Sequence, residues 1–172
     1  MDDDLASIEP QLLWGHFNEI RKIPRCSKHE GRAAEYVLSV AKRLWLDSEM
    51  DGAGNVVMRV AATPGREGSP TVLLQSHLDM VCEKNKDVDH DFSKDSIEVV
   101  VEDGWVKARG TTLGADNGIG VAAALAVLED PKAVHGPLEF LFTVDEEEGM
   151  SGARGLQVDE IGAKMLINLD TD

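Results

Sequence analysis

Apolar residues recur along this chain with two different periods. Leu13, Phe17 and Ile20 fall at helical spacing behind Pro10, a residue suited to the first turn of a helix, and Pro24 closes the segment. Ser27-Lys28-His29-Glu30 has the spacing of a capping box, and behind it Val37, Val40, Ala41 and Leu44 form the apolar face of a second helix. Residues 52–55 predict a turn and residues 65–70 a loop. The runs 56–60, 71–75, 138–144 and 165–169 are short and largely apolar, as strands covered on both faces are. Residues 97–101 and 105–107 flank Glu102-Asp103-Gly104, the signal of a hairpin around an Asp-Gly turn. Residues 118–128, rich in Ala, Val and Leu and stopped by Asp130-Pro131, predict a buried helix. The alternation predicts an α/β fold: a mixed, mostly parallel sheet flanked by helices on both faces.

The chain has 172 residues, enough for one domain with a real core. Its formal net charge of −15 argues against nucleic acid or an anionic membrane as partner. That charge fits a cytoplasmic protein, or one that holds cations. Two cysteines, Cys26 and Cys82, are too few for a disulfide framework and match no zinc-thiolate spacing, which favours a reducing compartment. The acidic start Met1-Asp2-Asp3-Asp4 lacks the basic-then-apolar pattern of a signal peptide. No apolar run approaches the ~20 residues that span a bilayer.

Candidate chemistry gathers where strands end. The run 71–75 is followed by His77 and Asp79, the run 138–144 by Asp145-Glu146-Glu147-Glu148, and the run 165–169 by Asp170. The buried helix is preceded by Gly114-Ala115-Asp116-Asn117-Gly118. In an α/β sheet ligands collect at the carboxyl ends of the strands, so parallel strands would bring one imidazole and several carboxylates to one rim. Taken singly, each signal has an ordinary structural reading. A lone histidine near a strand end is commonly a satisfied structural group, but the His-x-Asp spacing offers the carboxylate that fixes the tautomer of a ligating imidazole. An acidic run is usually a solvated face, yet Asp145–Glu148 leaves a strand that looks buried and is ended at once by Gly149. Asp116 reads equally as a ligand or as a helix cap favoured by the dipole. The stretch 87–98 has oxygen ligands at EF-hand positions, but its sixth residue is Phe92 where that loop needs Gly, so a surface acidic loop is expected instead. A nucleophile elbow, a P-loop and a dinucleotide fingerprint are all missing.

Together, His77-Leu78-Asp79-Met80-Val81 with Lys84-Asn85, the segment Gly110-Thr111-Thr112-Leu113-Gly114-Ala115-Asp116-Asn117-Gly118, Asp145-Glu146-Glu147 and Asn168-Leu169-Asp170 resemble one family in order and context. That family is the aminoacyl-histidine dipeptidases of peptidase D type, within the di-zinc exopeptidases that include aminopeptidases and deacylases. The resemblance covers essentially the whole chain. It implies hydrolysis of small peptides of Xaa-His type with two Zn²⁺ ions per complete site, Mn²⁺ or Co²⁺ being possible substitutes. It implies that His77 and Asp170 bind the first metal, Asp116 bridges both, Glu147 binds the second, Glu146 is the general base and Asp79 orients His77. It further implies a cis peptide bond at Asp116-Asn117. Members of the family are longer, with a further histidine ligand and a lid or dimerisation domain. Residues 1–172 are therefore expected to be part of a catalytic domain and, by themselves, to bind one metal better than two, to hydrolyse dipeptides weakly or not at all, and to leave apolar surface open to self-association. A related zinc aminopeptidase or deacylase, and a non-catalytic metal-binding module, are the alternative readings.

Overall fold

The structure, a computed structural model, describes residues 5–157 and 161–170. A short 3-10 turn, Leu5–Ser7, precedes α1 (Gln11–Ile20) and α2 (Gly31–Arg43). Two strands follow, β1 (Asp47–Met50) and β2 (Val56–Val60), then β3 (Val72–His77). The hairpin β4 (Val99–Glu102) and β5 (Trp105–Ala108) leads into α3 (Ala115–Glu129). The chain continues through β6 (Leu138–Thr143), α4 (Ser151–Gly155) and β7 (Met165–Asn168).

Every residue of β6 is buried, and the main sheet is built around it in the order β1-β2-β6-β3-β7. β1, β2 and β6 pair antiparallel; β6, β3 and β7 are mutually parallel. The parallel register sets His77 beside Thr143 and Gln75 beside Asn168, so the carboxyl ends of β3, β6 and β7 lie side by side. β4 and β5 form a separate ribbon whose turn residues Asp103 and Gly104 both take positive φ, the conformation that suits a two-residue hairpin.

Strand periodicity sorts the core. Val56, Met58, Phe140 and Phe142 point to one face, where they meet Phe17 and Ile20 of α1, Val37 and Val40 of α2, and Val121 and Leu125 of α3. Val57, Leu73 and Leu141 point to the other, under Leu156, Ile161 and Ala163. This second face also buries Glu139, whose carboxylate accepts from the backbone N–H groups of Gly162 and Ala163 at 2.9–3.1 Å. The outer strand β7 leaves Met165, Leu166 and Ile167 about half exposed (48, 58 and 52 %), an apolar edge open to association. β1, Asp-Ser-Glu-Met, is the opposite edge; its polar sequence shows no apolar period, and pairing with β2 makes it a strand. Among the described residues no helix is long and apolar enough to cross a membrane.

Two local expectations differ from what is observed. The Ser27–Glu30 box does not cap α2: the Ser27 hydroxyl donates to Asp79, and the Glu30 carboxylate accepts from the backbone N–H groups of Lys28 and Asp145. Long-range partners outcompete the local cap. The two cysteines, too few for a framework, do form one disulfide, Cys26–Cys82. The backbone bridge between Cys26 and Met80 sets them side by side across 56 residues of sequence, a proximity that spacing cannot reveal.

Phe140 has no solvent exposure and stacks along the sheet with Phe142 at 6.5 Å between ring centroids. Phe140→Ala is expected to destabilise the fold by about 3–5 kcal/mol, read by urea unfolding.

Candidate metal centre

β3 delivers an apolar strand to the rim and ends in His77, which is 1 % exposed. Two residues on, Asp79 is fully buried and accepts hydrogen bonds from every side. Its Oδ1 faces His77 Nδ1 at 3.2 Å and accepts from Glu146 N–H at 3.0 Å. Its Oδ2 accepts from the Ser27 hydroxyl at 2.7 Å and from Glu147 N–H at 3.1 Å. One carboxylate thus joins the end of β3, the entry to α2 and the acidic run after β6. Burial by itself would raise the Asp79 carboxyl, but these donors outweigh it and hold the group well below the usual carboxylate range.

The acidic run turns on Asp145, which takes φ of 54° two residues past the end of β6. Its N–H is held by Glu30 at 2.9 Å, and its carbonyl accepts from Gly149 and Met150. This sharp turn folds the backbone of Glu146 and Glu147 back onto Asp79. Gly149 leaves room for it, since a Cβ there would stand 2.6 Å from Asp145 Oδ2. Burial and the charges of Asp116, Glu146 and Asp79 push the Glu147 carboxyl up, with His77 opposing.

Asp116 is reached through an irregular start of α3. Gly114 takes φ of 70°, the Asp116-Asn117 peptide bond is cis as the motif resemblance implies, and both residues have non-helical dihedrals. No side chain caps this helix, so Asp116 is free of the capping role that its position also allowed. Its carboxylate lies 2.9 Å from His77 Nε2, and an oxygen of Asp170 lies 3.7 Å from the same nitrogen. Asn117, 4 % exposed, ties the arms: its Oδ1 accepts from His77 N–H at 3.3 Å, and its Nδ2 donates to Leu169 O and Asp170 Oδ1 at 3.1 Å each.

The structure therefore brings the candidates from four separate segments together. Ligand atoms of His77, Asp116 and Asp170 lie within 4.8 Å of one another, as do those of His77, Glu146 and Glu147. His77 sits between acids on both ring nitrogens. Burial alone would lower its pKa, but Asp79, Asp116 and Asp170 overcome this and raise it to about 9. The stretch 87–98 stays outside this cluster; Asp91 is engaged by Ser93 and Lys94.

Four residues of this region escaped the sequence reading. In the sequence Ser27 and Glu30 carry only the signature of a local cap, and Asn117 stands only as part of a motif. Arg25 gave no signal at all beyond following a proline. It is 2 % exposed, its charge is faced by Asp79, Asp116 and Glu147, and burial lowers its pKa to about 10, so it stays protonated at neutral pH.

The chain is similar to several known proteins. Residues 73–168 match Peptidase family M20/M25/M40. The chain is 52 % identical over 169 residues to the cytosol non-specific dipeptidase of Escherichia coli, covering 98 % of this chain and 35 % of that protein. The structure of the aminoacylhistidine dipeptidase from Vibrio alginolyticus superposes with a TM-score of 0.96 at 44 % identity, over 100 % of this chain and 36 % of that one. A tripeptidase from Staphylococcus aureus gives 0.80 at 27 % identity, over 96 % and 44 %. The chain thus spans about a third of the length of the first two of these relatives.

The depressed Asp79 carboxyl makes stability depend on pH at the acid end. A carboxyl held lower in the folded state stabilises above its unfolded pKa of about 3.9 and loses that contribution as pH falls further. Asp79→Ala is expected to cost about 3–5 kcal/mol at pH 7, because it strands buried donors, and Ser27→Ala about 1 kcal/mol. Urea titrations should also show that Asp79→Ala flattens the loss of stability below pH 4; an unchanged acid limb would show that Asp79 does not carry it.

Proposed function

Because the chain belongs to Peptidase family M20/M25/M40, we propose that it is part of the catalytic domain of a metal-dependent dipeptidase acting on small peptides of Xaa-His type. The observation that carries this reading is the convergence of one imidazole and two carboxylates, His77, Asp116 and Asp170, from three separate segments within 4.8 Å. The donor set fits a divalent ion. Asp79 occupies His77 Nδ1 and leaves Nε2 aimed at Asp116 and Asp170, the arrangement in which an outer carboxylate orients a ligating histidine. Carboxylates gathered at one rim repel one another, and a cation between them relieves this. Imidazole with carboxylate oxygens suits Zn²⁺ and tolerates Mn²⁺ or Co²⁺.

In this reading His77, Asp116 and Asp170 would hold one ion, and Asp116 and Glu147 would serve a second. The ions, when bound, supply Lewis acidity that polarises the scissile carbonyl and acidifies water. Glu146 takes a proton from the attacking water as its oxygen adds to the carbonyl carbon. Glu146 then delivers that proton to the amine nitrogen as the C–N bond breaks. Asp79 serves both partners: it orients the His77 ring, and through the N–H groups of Glu146 and Glu147 it fixes where the base and its neighbour begin.

The dipeptide substrate, a cytoplasmic location and homo-oligomer formation belong to the same proposal. The relatives' names support the first two, cytosol non-specific dipeptidase and aminoacylhistidine dipeptidase. A non-catalytic metal-binding module would have no use for Glu146 as a base, so that residue separates the readings.

In a chain extended to the length of its relatives, Glu146→Gln is expected to lower kcat on Xaa-His dipeptides about 10²–10⁴-fold while metal content per chain stays unchanged. Loss of metal together with turnover would reassign Glu146 as a ligand. Chelation should abolish hydrolysis, and Zn²⁺, Mn²⁺ or Co²⁺ should restore it.

A further inference from the structure

Arg25 is among the largest fully buried side chains in the protein and makes no direct ion pair among the described contacts. Its Nη1 donates to two successive carbonyls, Leu78 O at 3.0 Å and Asp79 O at 2.7 Å. Its Nη2 donates to Gly114 O. Its own carbonyl accepts from Met80 N–H at 3.1 Å. The first loop it grips carries His77 and Asp79; the second leads to Asp116. These loops are far apart in sequence, and their spacing decides whether His77 Nε2 and the Asp116 carboxylate face one another. The surrounding backbone is cut to the guanidinium: a Cβ at Gly114 or Gly118 would stand 2.5 or 2.8 Å from Nη2. Burying a cation is costly unless its hydrogen bonds are well made; here both Nη nitrogens donate to loop carbonyls, while the buried Nε has no partner.

We propose that Arg25 is a positioning residue of the metal centre, whose planar guanidinium sets the separation between the arm bearing His77 and Asp79 and the arm bearing Asp116. The role belongs to the fork and not to the charge alone. A lysine ammonium has a single nitrogen and cannot stand at both Nη positions. The inference rests on the metal-dependent reading above.

The test compares the protein with Arg25→Lys and Gly118→Ala. The second variant keeps the guanidinium and its charge but crowds Nη2, and alanine favours the helix it enters. Zn²⁺ affinity is measured by competition with a chromophoric chelator, site geometry by the visible spectrum of bound Co²⁺, and folding by the thermal midpoint. Arg25→Lys is expected to weaken metal binding about 10–100-fold, the range seen when groups behind the ligands are altered. It should also shift the Co²⁺ bands and lower kcat at saturating metal with KM unchanged. Gly118→Ala should move affinity and spectrum in the same direction by a smaller factor, and decides alone if Arg25→Lys does not fold. Folded variants with the parent affinity and Co²⁺ spectrum would overturn the proposal. A parent protein that binds no metal would instead overturn the reading on which it rests.

Discussion

The Asp79 carboxylate is the constraint on which the rest of the site depends. It is fully buried, and its oxygens meet His77, the Ser27 hydroxyl and the backbone N–H groups of Glu146 and Glu147. A buried carboxylate is tolerated when its lone pairs are satisfied, and each donor here comes from a segment that must be in place first. The end of β3, the entry to α2 and the acidic turn after β6 are therefore fixed relative to one another by one group. Those donors favour its charged form and hold the Asp79 carboxyl well below the usual carboxylate range. Arg25 makes the complementary link, from the same strand end to the loop before α3.

The sheet explains why such distant segments meet. β3, β6 and β7 run parallel and in close register, so each delivers its following residues to one rim. The antiparallel pair β1–β2 completes the sheet on the side away from the acids and gives β6 two neighbours. With β6 buried throughout, its end cannot shift without disturbing the core, and the turn at Asp145 inherits that rigidity. Asn117 then joins the third arm by bonding at once to His77, Leu169 and Asp170.

How much of this was legible in the sequence follows from the range of the forces involved. β2, β3, β6 and β7 announce themselves as apolar runs, and the β4–β5 hairpin by its Asp-Gly turn, because these signals are local. The convergence of His77, Asp116, Glu146, Glu147 and Asp170 could be anticipated from residues that follow strands, given a parallel sheet. β1 could not, since Asp-Ser-Glu-Met becomes a strand by pairing with β2. The Ser27–Glu30 box misled because local capping competes with tertiary partners, and here Asp79 and Asp145 offered better ones. Arg25 and the Cys26–Cys82 bond were invisible for a related reason: their meaning lies entirely in what the fold places beside them.

The central claim is that side chains scattered over about a hundred residues of sequence share one divalent ion. It is tested most directly by anomalous diffraction at the zinc edge from crystals of the protein grown with Zn²⁺. The account predicts an anomalous peak roughly 2.0–2.2 Å from His77 Nε2 and from carboxylate oxygens of Asp116 and Asp170. A zinc ion bound elsewhere, with these three side chains left unligated, would contradict it.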